Sequence, residues 1–341
     1  MAYTTIKKPS DYFNTKLYTG TGATQSITGV GFQPDWNWIK CRSNADSSQI
    51  FDVLRTTYAL RSDGTNVEAV GNGWTSLDSD GFTLNGDVSG GNVNNSGRTY
   101  ASWNWKANGA GSSNTDGSIT STVSANTTSG FSIVSYTGTG SAATIGHGLG
   151  VTPKMIIIKG RSIADNWCVY NENIGNTKRL RLNSNIGETT DANAFNNTSP
   201  TSSVFNLGIS SEVNANTYTY IAYCFAEKKG FSKFGSYTGN GSSDGTFVYT
   251  GFKPAFVIIK QTNATRSWHM FDNKRNEFNV VDKFFFANSS GAEQTLSLLD
   301  FTSNGFKTRS TDGAVNASGG SYIYMAFAEE PLVGDNPATA R

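Results

Sequence analysis

One pattern occurs three times along this chain of 341 residues. An opening signature, Tyr18-Thr19-Gly20-Thr21-Gly22, returns as Tyr136-Thr137-Gly138-Thr139-Gly140 and as Tyr237-Thr238-Gly239-Asn240-Gly241. Each is followed by a segment ending in lysine: GFQPDWNWIK to Lys40, GVTPKMIIIK to Lys159 and GFKPAFVIIK to Lys260. Proline and lysine stand six residues apart every time. Eleven residues past each lysine lies an aromatic, Phe51, Tyr170 or Phe271, followed by Asp52, Asn171 or Asp272. The segments Tyr100 to Trp105, Tyr220 to Phe225 and Tyr322 to Phe327 close the copies at nearly constant distance from the opening tyrosine. Landmarks kept in this order and spacing point to three homologous domains in tandem.

Each copy reads as strands. Lys154 to Lys159 and Pro254 to Lys260 are almost continuous apolar runs, which suits strands buried on both faces. Turn dipeptides punctuate the rest, among them Asp63-Gly64, Asp80-Gly81, Asn304-Gly305 and Asp312-Gly313. The 37 glycines with 12% aromatic residues fit short strands joined by tight turns around real cores. The expected fold is all-β, three tandem β-sandwich domains of jelly-roll-like type. The expected order is an N-terminal arm at 1–13, a first domain at 14–108 and a polar linker at 109–129. A second domain at 130–229, a third at 231–331 and a tail at 332–341 follow. The polar linker predicts a loosely attached first domain, and the short joint carrying Phe231 and Phe234 predicts a stiff pair of domains two and three. Asn276 to Phe285 is the best helical candidate.

The chemistry-bearing residues are few. A net charge of +1, with no block of like charge longer than a pair such as Lys7-Lys8, argues against capture of nucleic acid or anionic lipid. No apolar run reaches the length of a membrane span. The N-terminus lacks a secretory h-region, so no signal peptide and synthesis in a cytoplasm are expected. Cys41, Cys168 and Cys224 have neither a disulfide framework nor metal-ligand spacing. His147 and His269 have no acid or cysteine partner in pattern. The string Asp78-Ser79-Asp80-Gly81 reads as a turn rather than a calcium loop. The YTGTG strings lack the Lys-Ser/Thr and helix of a phosphate cradle. No cofactor, metal or catalytic residue is expected.

The recurrent Lys40, Lys159 and Lys260 are expected to snorkel to solvent or pair with an acid, Asp52 and Asp272 being partners in copies one and three. Asn171 keeps the shape and loses the charge in copy two. Trp167 and Trp268 align eight residues past their lysines, where copy one has Ser48. Facing inward they pack a core; facing outward they offer rings to a glycan or partner.

These strings, with the run Tyr-Ile-Ala-Tyr-Cys-Phe-Ala-Glu-Lys-Lys-Gly-Phe-Ser-Lys-Phe-Gly-Ser-Tyr-Thr-Gly-Asn-Gly from Tyr220 to Gly241, resemble a repeated β-domain of tailed-phage virion proteins, many from marine and cyanobacterial phages. The opening Ile6-Lys7-Lys8-Pro9-Ser10-Asp11-Tyr12-Phe13 is similar to the start of such proteins. Copy one diverges, with Ser48 for tryptophan and Ser102-Trp103-Asn104-Trp105-Lys106-Ala107 in the closing strand. The resemblance implies a non-enzymatic virion structural protein, a tail or appendage fibre component with an attachment or host-adhesion role. Capsid decoration is the alternative, and a glycan-binding or glycan-degrading spike stands behind it. It implies a virion location, other virion proteins and a host surface glycan as partners, and a homo-oligomer such as a trimer. It carries no catalytic residue over.

Overall fold

The computed structural model describes residues 4–71, 73–86 and 92–331. Strand makes up 45% and helix 3%, so the all-β expectation holds. Four principal strands recur in three units. Unit 1 has an opening strand Phe13–Thr19, a lysine strand Trp36–Cys41, a follower Gln49–Asp52 and a closing strand Thr99–Trp105. In unit 2 they are Phe131–Thr137, Met155–Gly160, Cys168–Asn171 and Thr219–Phe225. In unit 3 they are Ser232–Thr238, Phe252–Gln261, His269–Asp272 and Ser321–Pro331. Across each sheet the order is opening, closing, lysine, follower, antiparallel throughout.

The register repeats as well. Trp36 lies opposite Trp105 and Asp52, Met155 opposite Phe225 and Asn171, and Phe256 opposite Phe327 and Asp272. A smaller second layer covers one face of each sheet. It pairs Gln25–Thr28 with Gly81–Leu84 in unit 1 and Ala143–Gly146 with Val204–Leu207 in unit 2. In unit 3 the sheet curls without a break through Val281–Phe286 and Gln294–Thr302 to Gly305–Thr308 and Phe247–Tyr249.

The lysine strands are buried along their whole length because each central sheet has apolar neighbours on both sides. One face packs into the unit's own cluster. The other joins a single core to which all three units contribute. Period-two alternation decides which residues go where. In unit 1, Trp36, Trp38, Trp103 and Trp105 enter the shared core. The intervening Asn37, Ser102 and Asn104 are buried on the opposite side, where Asn104 Nδ2 donates to Ser102 Oγ at 2.9 Å. At the shared centre the rings of Trp36 and Phe225 lie 5.7 Å apart, Phe225 and Phe327 6.1 Å, and Trp105 and Phe327 5.6 Å. The units therefore meet as a closed trio.

Three expectations change. The first unit is not loosely attached, since it places four tryptophans at the shared centre. The segment 109–129 is no free linker: Ser112–Asn114 and Ser121–Asn126 add two strands to the edge of the unit 2 sheet. Its polar residues tolerate this because buried hydroxyls are bonded, Ser124 Oγ accepting from Asn108 N at 2.9 Å. The helical candidate within 276–285 instead runs into the strand Val281–Phe286; the α-helices, Ala192–Phe195 and Ser211–Asn214, are one turn each. The arm is docked as well. Ile6 and Phe13 are buried in the shared core, and the rings of Tyr12 and Phe231 meet edge-on at 6.0 Å. The tail expected at 332–341 lies outside the described residues.

Candidate functional site

The glycine-rich opening signatures are latches. Their tyrosines stack on those of the closing strands at 5.0, 5.3 and 4.9 Å for Tyr18–Tyr100, Tyr136–Tyr220 and Tyr237–Tyr322. Each opening hydroxyl donates to a valine carbonyl: Tyr18 to Val93, Tyr136 to Val213 and Tyr237 to Val315. The asparagine after each valine accepts from the signature backbone, Asn94 from Thr21 N, Asn214 from Thr139 N and Asn316 from Asn240 N. A Cβ on Gly20, Gly138 or Gly239 would fall within 2.4 Å of a carbonyl oxygen, so close backbone approach requires glycine. The partner motif was not read from the sequence. Its signal is a Val-Asn pair whose asparagine stands six residues before each closing tyrosine.

The recurrent lysines sit at seams between units. Lys40 Nζ donates to Ser289 O of unit 3 at 2.8 Å, Lys159 Nζ to Thr65 O of unit 1 at 3.2 Å, and Lys260 Nζ to Asn185 O of unit 2 at 3.0 Å. Each also bonds carbonyls of its own unit. Burial pushes all three down to about 8. They neither snorkel nor pair with Asp52 and Asp272. The register explains this: the acids lie opposite Trp36 and Phe256, and each lysine lies four residues further along its strand. The backbone repeats the cyclic order, since Glu68 N donates to Arg161 O, Glu188 N to Thr262 O and Glu293 N to Arg42 O.

Asp52 and Asp272 serve the same seams differently. Asp52 pairs with Arg55 at 2.7 Å and accepts from Tyr223 of unit 2 at 2.7 Å. Asp272 pairs with Arg275 at 2.6 Å and accepts from Trp103 Nε1 of unit 1 at 3.0 Å. Burial pulls the Arg55 guanidinium down, but Asp52, Tyr223 and Glu68 outweigh it and hold it above its ordinary value. Trp167 and Trp268 are fully buried, so neither ring can stack on a sugar. Trp167 Nε1 donates to Arg61 O of unit 1 and Trp268 Nε1 to Arg181 O of unit 2. At the remaining seam, where Ser48 replaces tryptophan, Ser62 Oγ donates to Ala287 O instead.

The lysines, Asp52, Asp272, Trp167 and Trp268 thus bond across the seams, whereas the tyrosine latches close each unit on itself and Asn171 Oδ1 accepts from Asn173 of its own unit. His147 is buried and shields Leu149 N, accepting at Nδ1. The three cysteines are free and buried. Among the described residues, no group of three or more His, Cys, Asp or Glu side chains is placed to hold a metal.

The open concave surface lies elsewhere. A cavity of about 400 Å³ in unit 3 is walled by Phe284, Phe286, Leu298 and Ala314, with His269 beside them and Arg266 and Asp312 at its mouth. Burial lowers His269 to about 4, so its ring is neutral at physiological pH. The corresponding place in unit 2 is filled. Arg179 and Arg181 stand where unit 3 has Phe284 and Phe286, by strand register. Glu212 stands where unit 3 has Ala314, two residues before the latch asparagine. Arg179 bonds Asp191 at 2.6 Å and Glu212 at 2.8 Å, and Arg181 bonds Glu212 too. Ser211 Oγ donates to Asp165 at 2.6 Å, whereas unit 3 has Gly313 and Arg266 at those positions. No sequence landmark marked this site, because it arises where the copies differ. A second cavity, about 470 Å³, follows the seam between units 2 and 3, and its Lys178 and Glu188 are already paired.

No curated protein matches this chain. A family described as a domain of unknown function (DUF7483) matches residues 8–331, which span all three units and the end of the docked arm. The ring of three units is therefore the body of one family domain, and the chain belongs to the DUF7483 family.

Proposed function

We propose that this chain is a non-enzymatic structural protein of a phage virion, a tail or appendage fibre component with a role in attachment or host adhesion. The observation that carries this reading is the cyclic repetition of seams. Unit 1 bonds unit 3, unit 2 bonds unit 1 and unit 3 bonds unit 2 through lysines at equivalent places. A body built this way presents three similar faces around one approximate axis and suits a threefold position in a symmetric assembly. The motif resemblance to tailed-phage virion domains supplies the assembly. Other virion proteins, further copies of the chain in a trimer and a host surface glycan are the partners of this reading. It requires no cofactor, nucleic acid or membrane insertion.

The test is labelling. Antibodies to the purified chain, visualised with gold on negatively stained virions carrying this gene, are expected to mark the tail appendages. Label confined to the capsid would favour a decoration protein. Absence from purified particles, despite expression in infected cells, would overturn the virion reading.

A further inference from the structure

We propose that the unit 3 cavity binds a single neutral sugar residue, free or as the end of a glycan. The inference supplies a ligand class for the adhesion role above. It rests on four features of the cavity.

First, the space is an alternative to a filled site. Where unit 2 carries two arginines and a glutamate, unit 3 carries Phe284, Phe286 and Ala314 on equivalent backbone. The correspondence extends to the cap: Ser210 Oγ accepts from Glu212 N as Asp312 Oδ1 accepts from Ala314 N at 2.7 Å. Second, the size suits a small ligand, at about 400 Å³. Third, the walls match a pyranose, which has an apolar face and a polar rim. Phe286 is half-buried and Leu296 exposed, offering surface for C–H groups, while Asn185, Ser267 and Asp312 offer polar atoms around them.

Fourth, the charges at the mouth balance. Arg266 and Asp312 are both exposed and form no ion pair among the described residues. The Arg266 guanidinium lies over Gly313, where a Cβ would come within 2.7 Å of Nη2. Asp312 uses Oδ1 for its cap and has Oδ2 to accept from a hydroxyl. One donor fork and one acceptor suit vicinal hydroxyls, each of which both donates and accepts. The neutral His269 adds no charge that would select an anion.

The experiment is an amide-shift titration of the full chain with methyl glucoside, methyl galactoside, methyl mannoside and N-acetylglucosamine, each raised to about 50 mM to reach millimolar affinity. At least one is expected to shift the amides of Leu298 and Ala314 saturably. Arg266→Ala and Leu296→Ala, both at exposed positions, should weaken that sugar about tenfold, equivalent to about 1.4 kcal/mol, with unchanged unfolding midpoints. Phe286→Arg, which restores the unit 2 residue, should abolish binding. The proposal is overturned if no sugar shifts these amides, if the shifts survive Arg266→Ala, or if free leucine shifts them and the sugars do not. Virion labelling is blind to these outcomes, so a failure here and a failure of the virion reading can be told apart.

Discussion

Two kinds of seam hold the three units together. Between units 1 and 2 an acid, an arginine three residues later and a donor from the neighbouring unit form one set: Asp52, Arg55 and Tyr223. Between units 3 and 1 the same set is Asp272, Arg275 and Trp103. The seam between units 2 and 3 has none of it. Asn171 replaces the acid, Ile174 the arginine and Met325 the cross-seam donor. All three positions change together, and physical chemistry explains why. A buried acid without its arginine, or an arginine without its acid, is an uncompensated charge, whereas replacing the full set by apolar groups is nearly neutral. Joint replacement is what a polar set acting as a unit requires.

The contrast can be broken most severely by removing a unit. If the seam between units 2 and 3 sufficed, residues 109–341 would fold as a pair. Deleting 1–108 exposes the shared core that Trp36, Trp38, Trp103 and Trp105 fill, and the fragment is expected to lose near-ultraviolet circular dichroism. A cooperative thermal transition in that fragment would sink the shared-core account.

The next effect separates the seams directly. Asp52→Ala or Asp272→Ala leaves a buried guanidinium and is expected to cost about 3–5 kcal/mol in urea unfolding. Asn171→Ala, in the seam without the charge, should cost only about 1 kcal/mol. Equal losses at all three positions would erase the distinction between the two kinds of seam.

Acid should act on one side of the seam that lacks the charged set. His269 of unit 3 is buried at the position where unit 2 has Cys168. Its value of about 4 in the folded chain lies below the ordinary 6.5. The unfolded chain therefore binds the proton first, and stability is complete above pH 6.5 and falls as pH drops toward 4. The greatest loss from this residue is about 3 kcal/mol. Urea midpoints at pH 7 and pH 4.5 should differ less in His269→Gln than in the native chain. Parallel losses would remove His269 from the account.

The smallest expected effect is the sharpest comparison. The triple replacement Asp52→Asn, Arg55→Ile and Tyr223→Met converts the first seam into the type seen between units 2 and 3. It should cost within about 1 kcal/mol, far less than Asp52→Ala alone. A cost equal to the sum of the single substitutions would show that the three residues act independently.

Much of this fold was legible because strands obey local rules. Prolines and lysines six apart bracketed buried runs, and turn dipeptides such as Asp80-Gly81 and Asn304-Gly305 marked where strands reverse. Alternation assigns residues to a face without saying what covers it, and so the shared core stayed hidden. The strands at 112–114 and 121–126 were missed because serine and asparagine occupy sites that usually carry valine or isoleucine. The lysines were conspicuous by recurrence, but their acceptors are carbonyl oxygens, which leave no mark on residue identity. The cavity was invisible for the opposite reason. Searching for what the copies share passes over the place where Glu212 gives way to Ala314.

The closed trio also sets a schedule for biosynthesis. The partner of Lys40 is Ser289, and that of Trp103 is Asp272, so the last seam joins segments far apart in the chain. During translation the first unit is complete long before Phe327 leaves the ribosome. At about 5–20 residues per second the wait is on the order of 10–50 s. Through that interval a face bearing four tryptophans has no finished cover. High contact order slows the closing step further, because loop entropy must be lost before the final contacts form. The nascent chain is thus a natural client for holdase chaperones, and its yield should respond to elongation rate more than that of three independent sandwiches would.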